Sequence, residues 1–440
     1  MILSGIPTFT ISMIVVLCIF IVTYVLLLIF SDYRAYIAAG AAVIFVILGL
    51  CKIFPMTPLD ALTSIEWNVI LMILGTMGVV GLFIESKMPA LLAEKIIEKS
   101  RDVRIAVIGL TVFAGFISAF VDNVATVLMV APIALVVCKK LKINPVPVVI
   151  AIAVASNLEG AATLVGDTTA ILLGQYAEMN FFDFFFYQGT VSIFWVVQLG
   201  LIASTAIIFL LFRKNREKVV IAEKTVVTDY FPTVLMVLVV VLLIAASFLP
   251  ANFTHPLING FICVGLMLVG LVWKIIKKKK FSAVVPVFKS IDFLTLLLLG
   301  AIFVIVEALI KVGIINWIGE ALTAISGGNV FLAYTMIVWI SVLLSAFIDN
   351  IPYVAMMLPV VTLIATNLGA NPTLFYFGLL CGATLGGNLT PIGASANITA
   401  IGILRKEGHK VKTWDFMRIG VPYTLAAVIV AYVLIWFICI

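Results

Sequence analysis

The hexapeptide Ser118-Ala119-Phe120-Val121-Asp122-Asn123 returns as Ser345-Ala346-Phe347-Ile348-Asp349-Asn350, 227 positions later, in a chain that is otherwise overwhelmingly apolar. A carboxylate beside a carboxamide can take up and release a proton or a hard cation. Ionisable residues at membrane depth are costly and mark ion or substrate pathways, so their duplication implies two halves that build one site. Each aspartate is a candidate carrier of the proton or cation, and its Asn neighbour orients backbone or supplies a carbonyl ligand.

A polar, glycine-rich stretch follows each copy. The first runs Ser156-Asn157-Leu158-Glu159-Gly160-Ala161-Ala162-Thr163-Leu164-Val165-Gly166-Asp167-Thr168-Thr169, and the second Gly386-Gly387-Asn388-Leu389-Thr390-Pro391-Ile392-Gly393-Ala394-Ser395-Ala396-Asn397. Gly and Pro weaken helices and short polar side chains compete for backbone hydrogen bonds, so a helix broken at mid-membrane is expected in each. Broken backbone is tolerated there only where it lines a cavity or binds a ligand. Freed carbonyls with Asn and Thr oxygens suit a hard cation, and half-helix N-termini attract anionic groups. The competing reading of such Gly and Thr content is close helix packing.

Asp122, Glu159, Asp167 and Asp349 are the carboxylates of these four elements, and no Lys, Arg or His lies among them. Carboxylates without a positive partner repel one another, so protons or bound cations must neutralise some of them. The expectation is a site with no resident base, coupled to H+ or Na+, with sodium at Asp122, Asn123, Asp349 and Asn350 and no other cofactor. Glu307 also falls in an apolar run but has no counterpart at Leu82 or Phe83.

The elements that must position these residues are membrane spans. The 440 residues are 64% hydrophobic and 11% charged, with mean hydropathy +1.28, which excludes a soluble domain. Runs long enough to cross a bilayer lie at 9–30, 35–53, 66–87, 145–176, 189–212, 231–249, 256–275, 291–310, 372–404 and 419–440. The first has no Lys or Arg before it and is expected to remain as a span rather than be cleaved. Segments 103–141 and 328–368 are interrupted by the Asp-Asn pairs and are expected to be re-entrant hairpins. With that assumption 25 of the 27 basic residues fall on one side and only Lys52 and Lys311 on the other. The basic side is then cytoplasmic and both termini are outside, in a multi-pass plasma or inner membrane protein. The net charge of +6 follows from this orientation and points to no nucleic acid.

The register of the repeat holds beyond the tips: Pro132 with Pro359, Asn144-Pro145 with Asn371-Pro372, Gly160 with Gly387, Thr163 with Thr390 and Gly166 with Gly393. Five spans and a hairpin per half invert the second half relative to the first. The expected organisation is a first repeat at 1–213 (hairpin 103–141, broken helix 145–176), a cytoplasmic linker at 214–228, and a second repeat at 229–440 (hairpin 328–368, broken helix 372–404). The six cysteines are scattered singly and suggest neither disulfides nor a metal centre. Phe181–Tyr187 reads as an outer interfacial aromatic segment and Leu91–Ser100 as an amphipathic surface helix.

The Ser-Ala-Phe-x-Asp-Asn tips, with Ala162–Asp167 and Leu385–Asn397, resemble the anion permease family of arsenite efflux proteins, one class of sodium/proton antiporters and the melanosomal P protein. That family belongs to the ion transporter superfamily, which also holds citrate and dicarboxylate carriers. The resemblance implies a homodimer in which each protomer has a scaffold and a transport domain that moves like an elevator. It places ion sites at Asp122, Asn123, Asn157, Thr163 and Gly166 in the first half, and at Asp349, Asn350, Asn388, Thr390, Ser395 and Asn397 in the second. Two departures stand out: Glu159 replaces a glycine and Thr168-Thr169-Ala170 replaces Pro-Pro-Asn, while the Ser-Asn-Thr tips of dicarboxylate carriers are Asp-Asn here.

The chain is thus expected to be an all-α polytopic transporter, not an enzyme, with about ten spans, two hairpins and two broken helices. It would move a small inorganic ion with proton or sodium coupling, by arsenite or anion efflux or by Na+/H+ antiport. A citrate/dicarboxylate carrier is the alternative, and a channel or an intramembrane aspartyl protease built on Asp122 and Asp349 is more remote.

Overall fold

The computed structural model describes residues 10–141, 143–213, 225–227, 229–250 and 255–440. Apart from 225–227, the linker expected at 214–228 lies outside the described residues. The first half contains α1 (Ile11–Ile29), α2 (Arg34–Leu50), α3 (Pro58–Thr63), α4 (Trp67–Glu85), α5 (Met88–Glu98), α6 (Val103–Ser118), α7 (Asn123–Leu141), α8 (Pro145–Glu159), α9 (Thr168–Tyr176) and α10 (Ile193–Leu211). The second contains α11 (Phe231–Ser247), α12 (Ile258–Lys278), α13 (Val285–Ser290), α14 (Phe293–Lys311), α15 (Ile314–Ile325), α16 (Val330–Ser345), α17 (Asn350–Leu368), α18 (Pro372–Gly386), α19 (Ser395–Lys406) and α20 (Thr413–Cys439). The described strands form one small hairpin, Phe186–Tyr187 against Thr190–Val191, in the aromatic segment, where Phe181 and Phe184 are buried.

Among the described residues, seven helices are long and apolar enough to cross a membrane: α1, α4, α10, α12, α14, α17 and α20. Six of them are expected spans, and α17 is one arm of the second hairpin. Two more expected spans, α2 and α11, are 17-residue helices. The last two are broken: residues 160–167 separate α8 from α9, and a 3-10 turn at Gly387–Leu389 begins the gap between α18 and α19.

The repeated residues outside the tips are helix punctuation. Asn144 caps α8 by accepting from the Val146 N–H at 3.0 Å, and Asn371 caps α18 by accepting from the Thr373 N–H at 3.0 Å. A proline follows each cap at the first helical position, where its missing N–H costs nothing. Asp102 and Asn329, also 227 apart, cap the first arms of the two hairpins, bonding the N–H groups of Ile105 (2.9 Å) and Leu332 (3.1 Å).

Two groups of helices result. α2 packs along α14 with α1 beside them, and α12 packs along α4 with α11 beside them. In the other group α6 and α7 lie on α8, α16 and α17 lie on α18, and α10 runs along α20. Each sequence half contributes to both groups. The groups are bridged by α5, which touches α4 and the first hairpin, and by α15, which touches α14 and α17. α5 is amphipathic as the sequence suggests: Ala93 and Ile97 are buried while Lys95 and Glu98 are exposed, and Glu94 accepts from the Thr225 backbone at 2.7 Å. Large apolar residues such as Ile14, Val22, Phe261 and Phe437 face outward, as lipid contact requires.

Beyond the end of α2, Asp60 closes a capping box with Thr57 and pairs with Lys311 at 3.1 Å. The Thr57 N–H and hydroxyl, then Lys311, hold the Asp60 carboxyl down to about 2. Lys311 also lies 3.6 Å from Glu307, one turn away on α14, so Glu307 serves a surface ion-pair cluster.

Candidate functional site

Each hairpin turns over four residues, and the aspartate at its tip starts the returning helix. Asp122 accepts from the N–H groups of Val124 (3.0 Å) and Ala125 (3.1 Å), and Asp349 from that of Ile351 (3.2 Å). Serving as N-caps fixes the carboxylates at positively polarised helix ends.

The broken helices grip these tips through repeat-related contacts. Thr163 donates its hydroxyl hydrogen to the Ala119 carbonyl, and Thr390 donates to the Ala346 carbonyl. Ser156 bonds the Ser118 hydroxyl and the Asn123 carbonyl, both at 3.0 Å. Asn123 donates to Asn157 Oδ1 at 2.9 Å. Backbone approaches backbone at the breaks. A Cβ on Gly166 would lie 2.7 Å from the Gly160 carbonyl oxygen and 3.0 Å from that of Ser118; on Gly393 it would lie 2.6 Å from Gly387 O and 2.9 Å from Ser345 O. Carbonyl oxygens of tip and break therefore crowd together in each half.

The two breaks meet each other. Asn157 donates to the Thr384 carbonyl at 2.7 Å and to Asn388 Oδ1 at 3.2 Å, while Asn388 donates to the Val154 carbonyl at 2.9 Å. Asn397 donates to the carbonyls of Gly387 (3.0 Å) and Thr390 (3.1 Å), but its fully buried Oδ1 has no hydrogen-bond partner among the described residues. A buried acceptor without a donor needs a partner to offset its burial, and a hard cation is one group that can supply it.

A cavity of about 550 Å³ opens onto both tips. Asp122, Asn123, Asp167, Asp349, Asn350 and Ser395 line it. Asp167 caps α9 by accepting from the Thr168 N–H at 2.8 Å and from the Thr169 hydroxyl at 3.1 Å. Glu159 is not brought to this cavity. It faces α6, α10 and α20, accepts from Gln198 Nε2 at 2.6 Å, packs its Cγ against Gly115, and leaves Oε1 without a partner among the described residues.

The expected absence of a resident base is overturned. Arg34, the first residue of α2, forms an ion pair with Asp349 and reaches Ser395 Oγ at 3.4 Å. Lys289 lines the same cavity, together with Asp32 and with Asp292, which caps α14 through Thr295 at 3.0 Å. In the sequence Arg34 and Lys289 each sit where a span begins, and so read as orientation charges. The sequence held no signal for either, because a lone basic residue at the start of an apolar run looks the same as an orientation charge.

The model of a family described as Citrate transporter matches residues 24–378. An uncharacterized transporter of Mycobacterium tuberculosis is 32% identical over 383 residues, covering 85% of this chain and 86% of its own. The P protein of Homo sapiens is 26% identical over 438 residues, covering 81% of this chain, which spans about half (52%) of that longer protein. Among solved structures, the YdaH transporter of Alcanivorax borkumensis, reported to have an unusual topology, superposes with a TM-score of 0.60 at 13% identity over 96% of this chain and 97% of its own.

Proposed function

The chain belongs to the citrate transporter family of membrane proteins, and from that premise we propose a secondary active transporter that couples H+ or Na+ to the movement of a small ion. The observation that carries this reading is the convergence of Asp122 and Asp349, from oppositely placed repeats, on one cavity. Broken helices from two repeats meeting at a central site are the architecture of many alternating-access transporters.

The coupling cation is bound at the tips and breaks. Asp122, Asn123, Asp349 and Asn350 supply the tip ligands, and the carbonyls around Gly166 and Gly393 supply the rest. Asn157, Thr163, Asn388 and Thr390 hold that backbone in place, and the unpartnered Oδ1 of Asn397 gives the second-half site its neutral side-chain ligand. The group holding the hairpins moves past the group built on α2, α4, α12 and α14, with α5 and α15 as connecting arms. Arg34 and Lys289 both belong to the basic, cytoplasmic set, so the cavity described here opens to the cytoplasm. The protein acts in the cell membrane with its termini outside, as a homodimer.

Arsenite or anion efflux and Na+/H+ antiport remain the first reading. Arg34 favours a second, a citrate or other carboxylate carrier, because a guanidinium in the cavity offsets part of the carboxylate charge that would repel such a substrate. Exchange in proteoliposomes under separately imposed proton and sodium gradients, against arsenite, sodium and citrate, tests both. Flux that responds to neither gradient would refute coupled transport.

A further inference from the structure

The register that makes the two halves alike also shows where they differ. In the first half, Asp167 caps the N-terminus of α9 with its own carboxylate, bonding the Thr168 N–H. The residue 227 positions later is Ala394, and α19 begins there with no side-chain cap. The tips differ as well. Asp349 is paired with Arg34, whereas among the described residues neither Asp122 nor Asp167 makes an ion pair. The place 227 positions after Arg34 is Phe261, which carries no charge, and among the described residues no base pairs with the first tip. One wall of the cavity therefore presents unpaired carboxylates, and the other presents a guanidinium, a serine hydroxyl and an open helix end.

Arg34 is not fully engaged. Asp349 takes one arm of the fork through a single oxygen, since its other oxygen accepts from the Ile351 N–H. The second arm meets Ser395 at 3.4 Å, long for a hydrogen bond, and the side chain stays 27% exposed where it lines the cavity. A guanidinium is built to hold a carboxylate or oxyanion by two parallel bonds. Here it holds an internal carboxylate by one.

We infer that Arg34 is the residue that receives the anionic group of the transported ion, and that the Asp349 carboxylate occupies that place in its absence. The two copies of the duplicated aspartate then differ: Asp122 makes no ion pair among the described residues, whereas Asp349 competes with the anion for Arg34. The groups facing Asp349 are Arg34 from α2, Tyr24 from α1 and Asp167 from the broken helix, with Asp122, Asp292, Asp32 and Lys289 around the same cavity. This role for Arg34 rests on the transporter reading above, but an equilibrium binding measurement tests it apart from transport.

The experiment measures binding of radiolabelled citrate, and separately of inorganic phosphate, to the purified full-length chain in nanodiscs at fixed pH and sodium. Citrate binding alone identifies a carboxylate site, and phosphate binding a general oxyanion site; either supports the inference when the variants follow. Asp349→Asn should tighten binding about tenfold, because it removes the internal competitor. Arg34→Gln in the Asp349→Asn background removes both members of the pair, so it strands neither, and should weaken binding at least tenfold relative to Asp349→Asn alone, with Arg34→Lys recovering only part. A structural role for the pair would instead make Asp349→Asn lose binding. That result overturns the inference, as does unchanged binding in the double variant or the binding of neither anion to the wild type. Gradient-driven flux of the wild type, measured alongside, reports on the transporter reading independently.

Discussion

Asn157 donates its side-chain N–H to the backbone carbonyl of Thr384, the residue that stands 227 positions after it and is its own repeat mate. A residue that touches its own counterpart lies near the pseudo-two-fold axis, so the asparagine pair Asn157 and Asn388 pins the two breaks together at the centre of the molecule. Both side chains are fully buried. Asn157→Ala and Asn388→Ala should each cost about 1–3 kcal/mol, the penalty of leaving buried partners unsatisfied. The double variant should cost less than the sum, since the residues share one network. Thermal unfolding of detergent-purified protein reads both effects, and strict additivity would argue against a shared network.

Asp122 is half-buried and Glu159 fully buried, but of these two first-half carboxylates only Asp122 reaches the cavity. Asp122→Asn should abolish gradient-driven uptake in proteoliposomes while the protein still inserts and purifies. Glu159→Gln should keep the ion dependence of transport and register, if at all, in the melting temperature. Loss of coupling in Glu159→Gln with normal coupling in Asp122→Asn would reverse the assignment.

The crowding of carbonyls around Gly166 and Gly393 leaves no room for a methyl group. Gly166→Ala and Gly393→Ala should each destabilise the fold by about 1–3 kcal/mol, the usual cost of overpacking, and should weaken sodium binding measured with 22Na+. Gly402, whose added Cβ would meet nothing within 4 Å, is the control: Gly402→Ala should leave the melting temperature unchanged or slightly raised.

Asp60 provides a pH test away from the membrane interior. Hydrogen bonds from Thr57, then from Lys311, lower its carboxyl from 3.8 to about 2 in the folded protein. A group whose folded value is depressed stabilises the native state above its unfolded value, and that contribution is lost as pH falls through the folded one. The melting-temperature difference between wild type and Asp60→Asn should therefore be constant above about pH 5 and shrink as pH drops from 3.8 towards 2. A difference that grows on acidification would contradict the bonding described.

The hairpins and breaks were legible in the sequence because the repeat marks them twice and because their residues conflict with helix formation. Pro145 and Pro372 behind their asparagine caps, and the Gly-Thr pairs at the breaks, each carry a local physical signature. Arg34 carried none. Its partner Asp349 is 315 residues distant, and a lone base at the start of an apolar run is indistinguishable by composition from an orientation signal. Glu159 failed in the opposite direction. It sits in the polar stretch, but helical phase turns it away from the cavity onto Gln198, and phase at the end of a helix about to break is not readable from residue types.

The interleaving of the halves also sets an order of events during synthesis. α2 must find α14, and Arg34 must wait for an aspartate made 315 residues later. At translation rates of about 5–20 residues per second, that interval is roughly 15–60 s. Throughout it the arginine lacks its native partner, and its place at the very start of a helix lets it rest among lipid headgroups until the second hairpin arrives.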